Sequence, residues 1–188
     1  MKSTSKVLNM FGPLSFTALL GLATVCFCFG CDKKQGIETG DTPPAISGND
    51  IHGKVVNLAQ LKGKIVVIYF WTNSCCGSSV KELETIYRKN KHKGLEVLAI
   101  DEIDSKKDVE SFAKSNGLSF TILMDEHSSF LKQYQVFAFP TIFIIDGNGI
   151  LRKKILGDIG GAQLEKQALR LLDLQKKAEE SYEKVHAR

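Results

Sequence analysis

Two rhythms of apolar and polar positions alternate along this chain. Lys64-Ile65-Val66-Val67-Ile68-Tyr69 is a continuous apolar, β-branched run, the mark of a strand buried on both faces. Directly after it, Val80, Leu83 and Tyr87 recur at helical spacing, and Gly94 is placed to stop that helix. The pair of patterns then repeats. Leu95-Glu96-Val97-Leu98-Ala99-Ile100 reads as a strand, and Val109, Phe112 and Ala113 give an apolar face to a helix that ends by Gly117. Ser105-Lys106-Lys107-Asp108 opens that helix in the manner of a capping box. A third buried strand runs from Phe120 to Met124, and Ser128 or Ser129 caps a short helix through Tyr134. Thr141–Ile145 and Ile150-Leu151 flank Asp146-Gly147-Asn148-Gly149, a strong hairpin signal. The last helix starts near Ala162, turns Leu164, Ala168, Leu171 and Leu172 inward, and becomes highly charged beyond Gln175. Strands alternating with helices, then a closing hairpin, predict an α/β fold with a central mixed β-sheet flanked by helices.

The N-terminus follows a different logic. Lys2 and Lys6 precede an apolar run from Leu14 to Gly30, interrupted at its start by Pro13, which is the pattern of a secretory leader. Cys31 follows Gly30 and precedes the polar Asp32-Lys33-Lys34-Gln35. This resembles a bacterial lipoprotein signal, with Cys31 as the acylated first residue after cleavage, although Cys28 stands where that pattern prefers leucine. A plain secretory leader and an uncleaved anchor are the alternatives. All three place the body outside the cytoplasm. The lipidated form would sit in a bacterial cell envelope, on the membrane face towards the periplasm. The expected organisation is a signal peptide over 1–30, a flexible tether over 31–44, one domain over 45–174 and a charged helical extension over 175–188.

Composition sharpens this only in part. The chain has 188 residues, 43% of them hydrophobic, enough for one compact domain plus extensions. Its net charge is +4 with the basic residues scattered, so no stripe for nucleic acid exists. Of the five cysteines, Cys26 and Cys28 leave with the leader. A lipidated Cys31 would leave Cys75 and Cys76 as the thiols of the mature protein, which excludes a disulfide framework.

Those two cysteines sit in Phe70-Trp71-Thr72-Asn73-Ser74-Cys75-Cys76-Gly77-Ser78, where the strand turns into the helix. A thiol at a helix N-terminus meets unpaired N–H groups and the positive dipole end, both of which favour the thiolate. The usual dithiol there is Cys-x-x-Cys, but the fourth position here is Ser78. Cys76 is a poor substitute on backbone spacing: adjacent Cα atoms are ~3.8 Å apart, below the roughly 4.4–6.8 Å of relaxed disulfides. On a helix start it would also point away from Cys75 and reads better as a small, partly buried residue. A strained, easily reduced Cys75–Cys76 bridge that would make Cys76 catalytic stays open as the alternative. Far along the chain, Phe139-Pro140-Thr141 opens a strand with a residue that lacks an N–H, and a cis bond is open to that proline.

Together these residues resemble the TlpA/ResA-like branch of membrane-anchored thioredoxins. The resemblance rests on Gly53-Lys54-Val55-Val56-Asn57-Leu58, Leu61-Lys62-Gly63-Lys64, Phe70-Trp71, Cys75, the strand–helix unit near 95–117, and Phe139-Pro140-Thr141 with Phe143-Ile144-Ile145-Asp146. It covers about 45–172. It implies a thioredoxin-like fold with an N-terminal β-hairpin, an inserted strand–helix unit, and thiol–disulfide oxidoreductase activity without a cofactor or metal. In that frame Cys75 attacks, Ser78 tunes the thiol, Trp71 shields the site, and Trp71, Phe139, Pro140 and Thr141 receive the substrate. The family's second cysteine aligns with Ser78 and its acidic residue with Lys81, next to Glu82; Tyr69 takes the place of a buried polar residue.

The resulting expectation is a monothiol mechanism. Cys75 exchanges with a protein disulfide or thiol, and an external thiol reductant releases it. Two other readings stay open. A thiol peroxidase would use Thr72, three residues before Cys75, and an arginine for which Arg152 is the candidate. A non-catalytic thioredoxin-fold binding module on the membrane would need no reactive thiol. His52, His92, His127 and His186 lack metal-ligand spacing.

Overall fold

The computed structural model describes residues 36–186. Strands β1 (Ser47–Asn49) and β2 (Val55–Asn57) form a small antiparallel hairpin. The main sheet holds β3 (Ile65–Trp71), β4 (Leu95–Asp101), β5 (Thr121–Met124), β6 (Thr141–Ile145) and β7 (Leu151–Leu156). Its helices are α1 (Asn73–Asn90), α2 (Lys106–Ser115), α3 (Ser129–Tyr134) and α4 (Gly161–His186). The strand order is β5-β4-β3-β6-β7. Strands β3, β4 and β5 run parallel, whereas β6 and β7 are antiparallel to their neighbours. This is the thioredoxin-like α/β architecture that the alternating pattern predicts.

All seven residues of β3 are buried, because the strand lies mid-sheet with packing on both faces. Val67, Tyr69 and Trp71 face Val80, Leu83, Val109, Ala113, Leu164 and Ala168 from α1, α2 and α4. Val66, Ile68 and Phe70 face Tyr134, Val136, Ile46 and Ile37 on the other side. An uninterrupted apolar run is the sequence such a strand requires.

Local signals are realised with two changes. Ser105 Oγ accepts the Asp108 N–H at 3.2 Å and donates to the Asp108 carboxylate at 2.6 Å, closing the expected box. Gly94 terminates the turn after α1 with φ +96°. Helix α3, by contrast, is capped by neither serine side chain: the Asp125 carboxylate accepts the N–H groups of Ser129 and Leu131 at 2.8 Å each. Ser128 Oγ turns to Glu102 instead. The second change concerns the expected tether over 31–44. From Ile37 onward the chain is already part of the domain, with Ile37 buried and Gly40 and Asp41 paired to Leu151 at 2.8 and 2.9 Å. Apolar residues inside a Gly- and Pro-rich stretch gave it a surface to pack on.

Helix α4 continues well past its buried residues Leu164 and Ala168 as an exposed helix. Gln175 ties it down, with Nε2 donating to Gly63 O at 2.8 Å. No helix among the described residues is long and apolar enough to cross a membrane.

Two buried polar groups carry measurable consequences. Tyr134, fully buried between Phe70 and Phe143 (ring centroids 5.5 and 5.1 Å away), donates its hydroxyl to Pro44 O at 2.7 Å. Asp101, at the end of β4 and in register with Trp71, is also fully buried. Its Oδ1 accepts the N–H groups of Ile103 and Asp104 at 3.0 and 2.9 Å, while Oδ2 has no hydrogen-bond partner. Burial, reinforced by the neighbouring Asp104, pushes this carboxyl from 3.8 up to about 7.

Tyr134→Phe keeps the ring packing but orphans the Pro44 carbonyl, and urea unfolding should register a loss of about 1 kcal/mol. For Asp101, the folded protein holds a proton that the unfolded chain releases above its ordinary carboxyl range. Its contribution is complete below about pH 4 and disappears as pH rises through about 7. Asp101→Asn should therefore flatten a decline in unfolding free energy of at most about 1.4 kcal/mol per pH unit over that window.

Candidate active site

The ends of the central strands gather at one edge of the sheet. Phe70 pairs with Thr141 on one side, and Trp71 pairs with Asp101 on the other. The turn into α1, the start of β6 and the loop after β4 therefore meet there. Ligand sites of parallel sheets favour this carboxyl edge.

Thr72 is the N-cap residue of α1, with extended backbone angles. Its hydroxyl makes no capping bond. It lies 3.0 Å from Ser74 Oγ and donates to Cys75 Sγ at 3.6 Å. The cap comes from elsewhere: Asp104, in the loop before α2, accepts the Asn73 N–H at 2.6 Å. Cys75 is exposed in the first turn, whereas Cys76, one residue on, is only 1% exposed and donates its N–H to Thr72 O at 3.1 Å. The two sulfurs are joined as a disulfide, with Cα atoms 3.8 Å apart.

That bond corrects the expectation that Cys76 points away. Its side chain is bonded to Cys75 while the residue as a whole stays buried in the first turn of α1. Ser78 is exposed, and the hydroxyl bonded to Cys75 is that of Thr72 rather than Ser78. Trp71, expected to shield the site and meet substrate, is fully buried and tilts against Phe112 with ring centroids 5.5 Å apart. Alternation along β3 sends its side chain inward, so it supports the site from below.

On the facing loop, the Phe139–Pro140 peptide is cis. Pro140 is buried, its carbonyl accepting the Gly157 N–H at 2.8 Å, and Phe139 is half-buried against both cores. Thr141 is fully buried and donates its hydroxyl to Ala138 O at 2.6 Å. Of the substrate residues expected here, Thr141 shapes the loop from within instead of meeting solvent. The side chain the loop presents outward is Phe137, 89% exposed, which sequence reasoning passed over. Asp104 was missed as well, because nothing local in its sequence announces a bond to a residue 31 positions away.

Beneath α1, burial pushes the Tyr69 phenol up to about 12, with Asp158 and Glu82 adding to the shift. Ser79 Oγ donates to Asp158, and Glu82 accepts the Gly161 N–H at 2.9 Å, capping α4. Lys81 lies over the Phe112 ring, 5.7 Å from its centroid. Arg152, the candidate peroxidatic arginine, pairs with Asp146 at 2.6 Å, next to the β6–β7 turn at the opposite edge of the sheet. Among the described residues, no group of three or more His, Cys, Asp or Glu is placed to hold a metal ion. Cys31 lies outside the described residues.

Comparison with known proteins agrees with this fold. The model of the AhpC/TSA family matches residues 39–154. A thiol-disulfide oxidoreductase ResA of Bacillus cereus is 32% identical over 161 residues, covering 85% of this chain and 88% of that protein. ResA of Bacillus subtilis is 32% identical over 126 residues, 66% of this chain and 70% of its own. Among solved structures, the thioredoxin domain of a thiol-disulfide oxidoreductase from Bacteroides vulgatus superposes with a TM-score of 0.61 at 27% identity, covering 71% of this chain and 99% of that domain. With its thioredoxin-like sheet and its cysteine pair at the strand–helix turn, the chain belongs to the AhpC/TSA family, among the ResA-like thiol–disulfide oxidoreductases.

Proposed function

We propose that this protein exchanges thiols and disulfides with protein substrates outside the cytoplasm, held at the membrane through its N-terminus, and that Cys75 is the sulfur that attacks. One observation carries the reading. Cys75 is the exposed sulfur of the pair, set in the first turn of α1 with the Thr72 hydroxyl directed at it. The helix N-terminus and a hydroxyl donor both stabilise negative charge on sulfur, and the thiolate is the nucleophile. The ResA relatives, named as thiol-disulfide oxidoreductases, support the reaction class. The leader pattern ending at Cys31 supports an extracytoplasmic, lipid-held placement. Phe137 beside the cis proline offers an apolar contact to the polypeptide that carries the target sulfur.

A peroxidase reading draws on the same Thr72–Cys75 contact. It is the weaker of the two, because Arg152 is engaged with Asp146 at the far edge of the sheet.

Reduction of a disulfide-containing protein by the purified chain, driven by a dithiol reductant, tests the proposal. Cys75→Ala should bring the rate down to that of the reductant alone, and an unchanged rate refutes the assignment. Thr72→Val should slow exchange by about tenfold, the worth of one hydrogen bond to a charged sulfur. Peroxide consumption with the same thiol donor should stay at background for the unmodified protein.

A further inference from the structure

The assignment of Cys75 leaves unexplained what releases it from a substrate, since Ser78 has no sulfur to offer. Cys75 and Cys76 are the only cysteines among the described residues. Their sulfurs are bonded to each other. Their surroundings differ sharply: Cys75 is exposed, and Cys76, next to it in the first turn of α1, is 1% exposed. Resting on the reading of Cys75 as the attacking sulfur, we infer that Cys76 is its resolving partner, so that adjacent cysteines form the two-electron couple that a spaced pair forms elsewhere.

The burial difference sets the order of events. A protein disulfide reaches Cys75 and not Cys76. The Cys75 thiolate, its proton given to solvent, attacks one substrate sulfur; a Cys75–substrate bond forms, and the substrate S–S bond breaks. The departing substrate thiolate takes up a proton. Cys76, deprotonated in turn, attacks Cys75 Sγ, so that the Cys75–Cys76 bond forms as the Cys75–substrate bond breaks. The second substrate sulfur leaves and is protonated. Two electrons have passed to the substrate, which ends as a dithiol, while the pair ends as the disulfide seen in the structure. A dithiol reductant restores the pair by the reverse steps, entering at exposed Cys75.

Proximity favours this route over an external thiol. Cys76 is one peptide bond from its target, so the resolving step is intramolecular and gains the effective concentration that tethering supplies. Its burial also keeps it from forming adducts of its own. The Thr72 hydroxyl stays on the Cys75 sulfur in the oxidised pair, placed to donate to the thiolate that forms there when the bond opens.

The test uses the full reduced chain, oxidised glutathione as probe, and mass measurement of the tryptic peptide Ile65–Lys81, which contains both cysteines. After an alkylating quench, the unmodified protein should yield this peptide two hydrogens lighter than the dithiol, without glutathione. Cys76→Ala should instead retain glutathione on Cys75, with an adduct lifetime at least about tenfold longer. Equal lifetimes in the two proteins overturn the inference. Should Cys76→Ala fail to fold, the unmodified protein decides alone: a peptide that carries glutathione and never becomes two hydrogens lighter is fatal. Failure of the underlying reading looks different. Cys75→Ser that gains glutathione on Cys76 at the unmodified rate would show that attack never depended on Cys75.

Discussion

Strand β3 is hydrogen-bonded along both edges and packed on both faces, and its last residue passes the chain directly into α1. Seven consecutive buried residues leave the strand no freedom to slide: a shift of one position would exchange the side chains of its two cores. The register with β6 sets Phe70 against Thr141, and the register with β4 sets Trp71 against Asp101. Everything chemical follows from those two pairings. They bring a cis proline, a cysteine pair and an acidic loop to one edge of the sheet from segments that are distant in sequence.

Around that edge the polar groups are distributed by what each neighbour can reach. Thr72 would ordinarily cap the helix it begins, as residues of its type do. Its hydroxyl instead serves the sulfur, while Asp104 holds the N–H of the first helical residue, Asn73. Asp104 in turn is steadied by Asp101, whose carboxylate accepts the Asp104 N–H from inside the protein. A buried carboxyl with one unpartnered oxygen is costly to ionise, and its raised affinity for a proton expresses that cost.

Much of the architecture was legible from periodicity. The apolar run at 65–69, the helical spacing of Val80, Leu83 and Tyr87, and the Asp146–Gly149 turn are local patterns that each admit one structure. Cys75, Pro140 and the strand–helix turn could be located for the same reason. What escaped depended on contacts across the fold. Trp71 looked like a cover for the site, but strand alternation buried it against Phe112. Thr141 looked like a substrate contact, yet its hydroxyl closes onto Ala138. The tether was expected to extend to residue 44, but Ile37 found an apolar face to cover. The relation of Cys76 to Cys75 was misjudged because Cα spacing alone does not say where a side chain in the first turn of a helix will lean.

The bond from the Asn73 N–H to Asp104 joins two pieces of chain 31 residues apart. Asp104 belongs to the loop that leads from β4 into α2, so this loop is a structural brace for the reactive turn and not a peripheral ornament. A redesign that trimmed or swapped this loop would leave both sulfurs in place on paper. It would nonetheless unmoor the first residue of the helix that presents them.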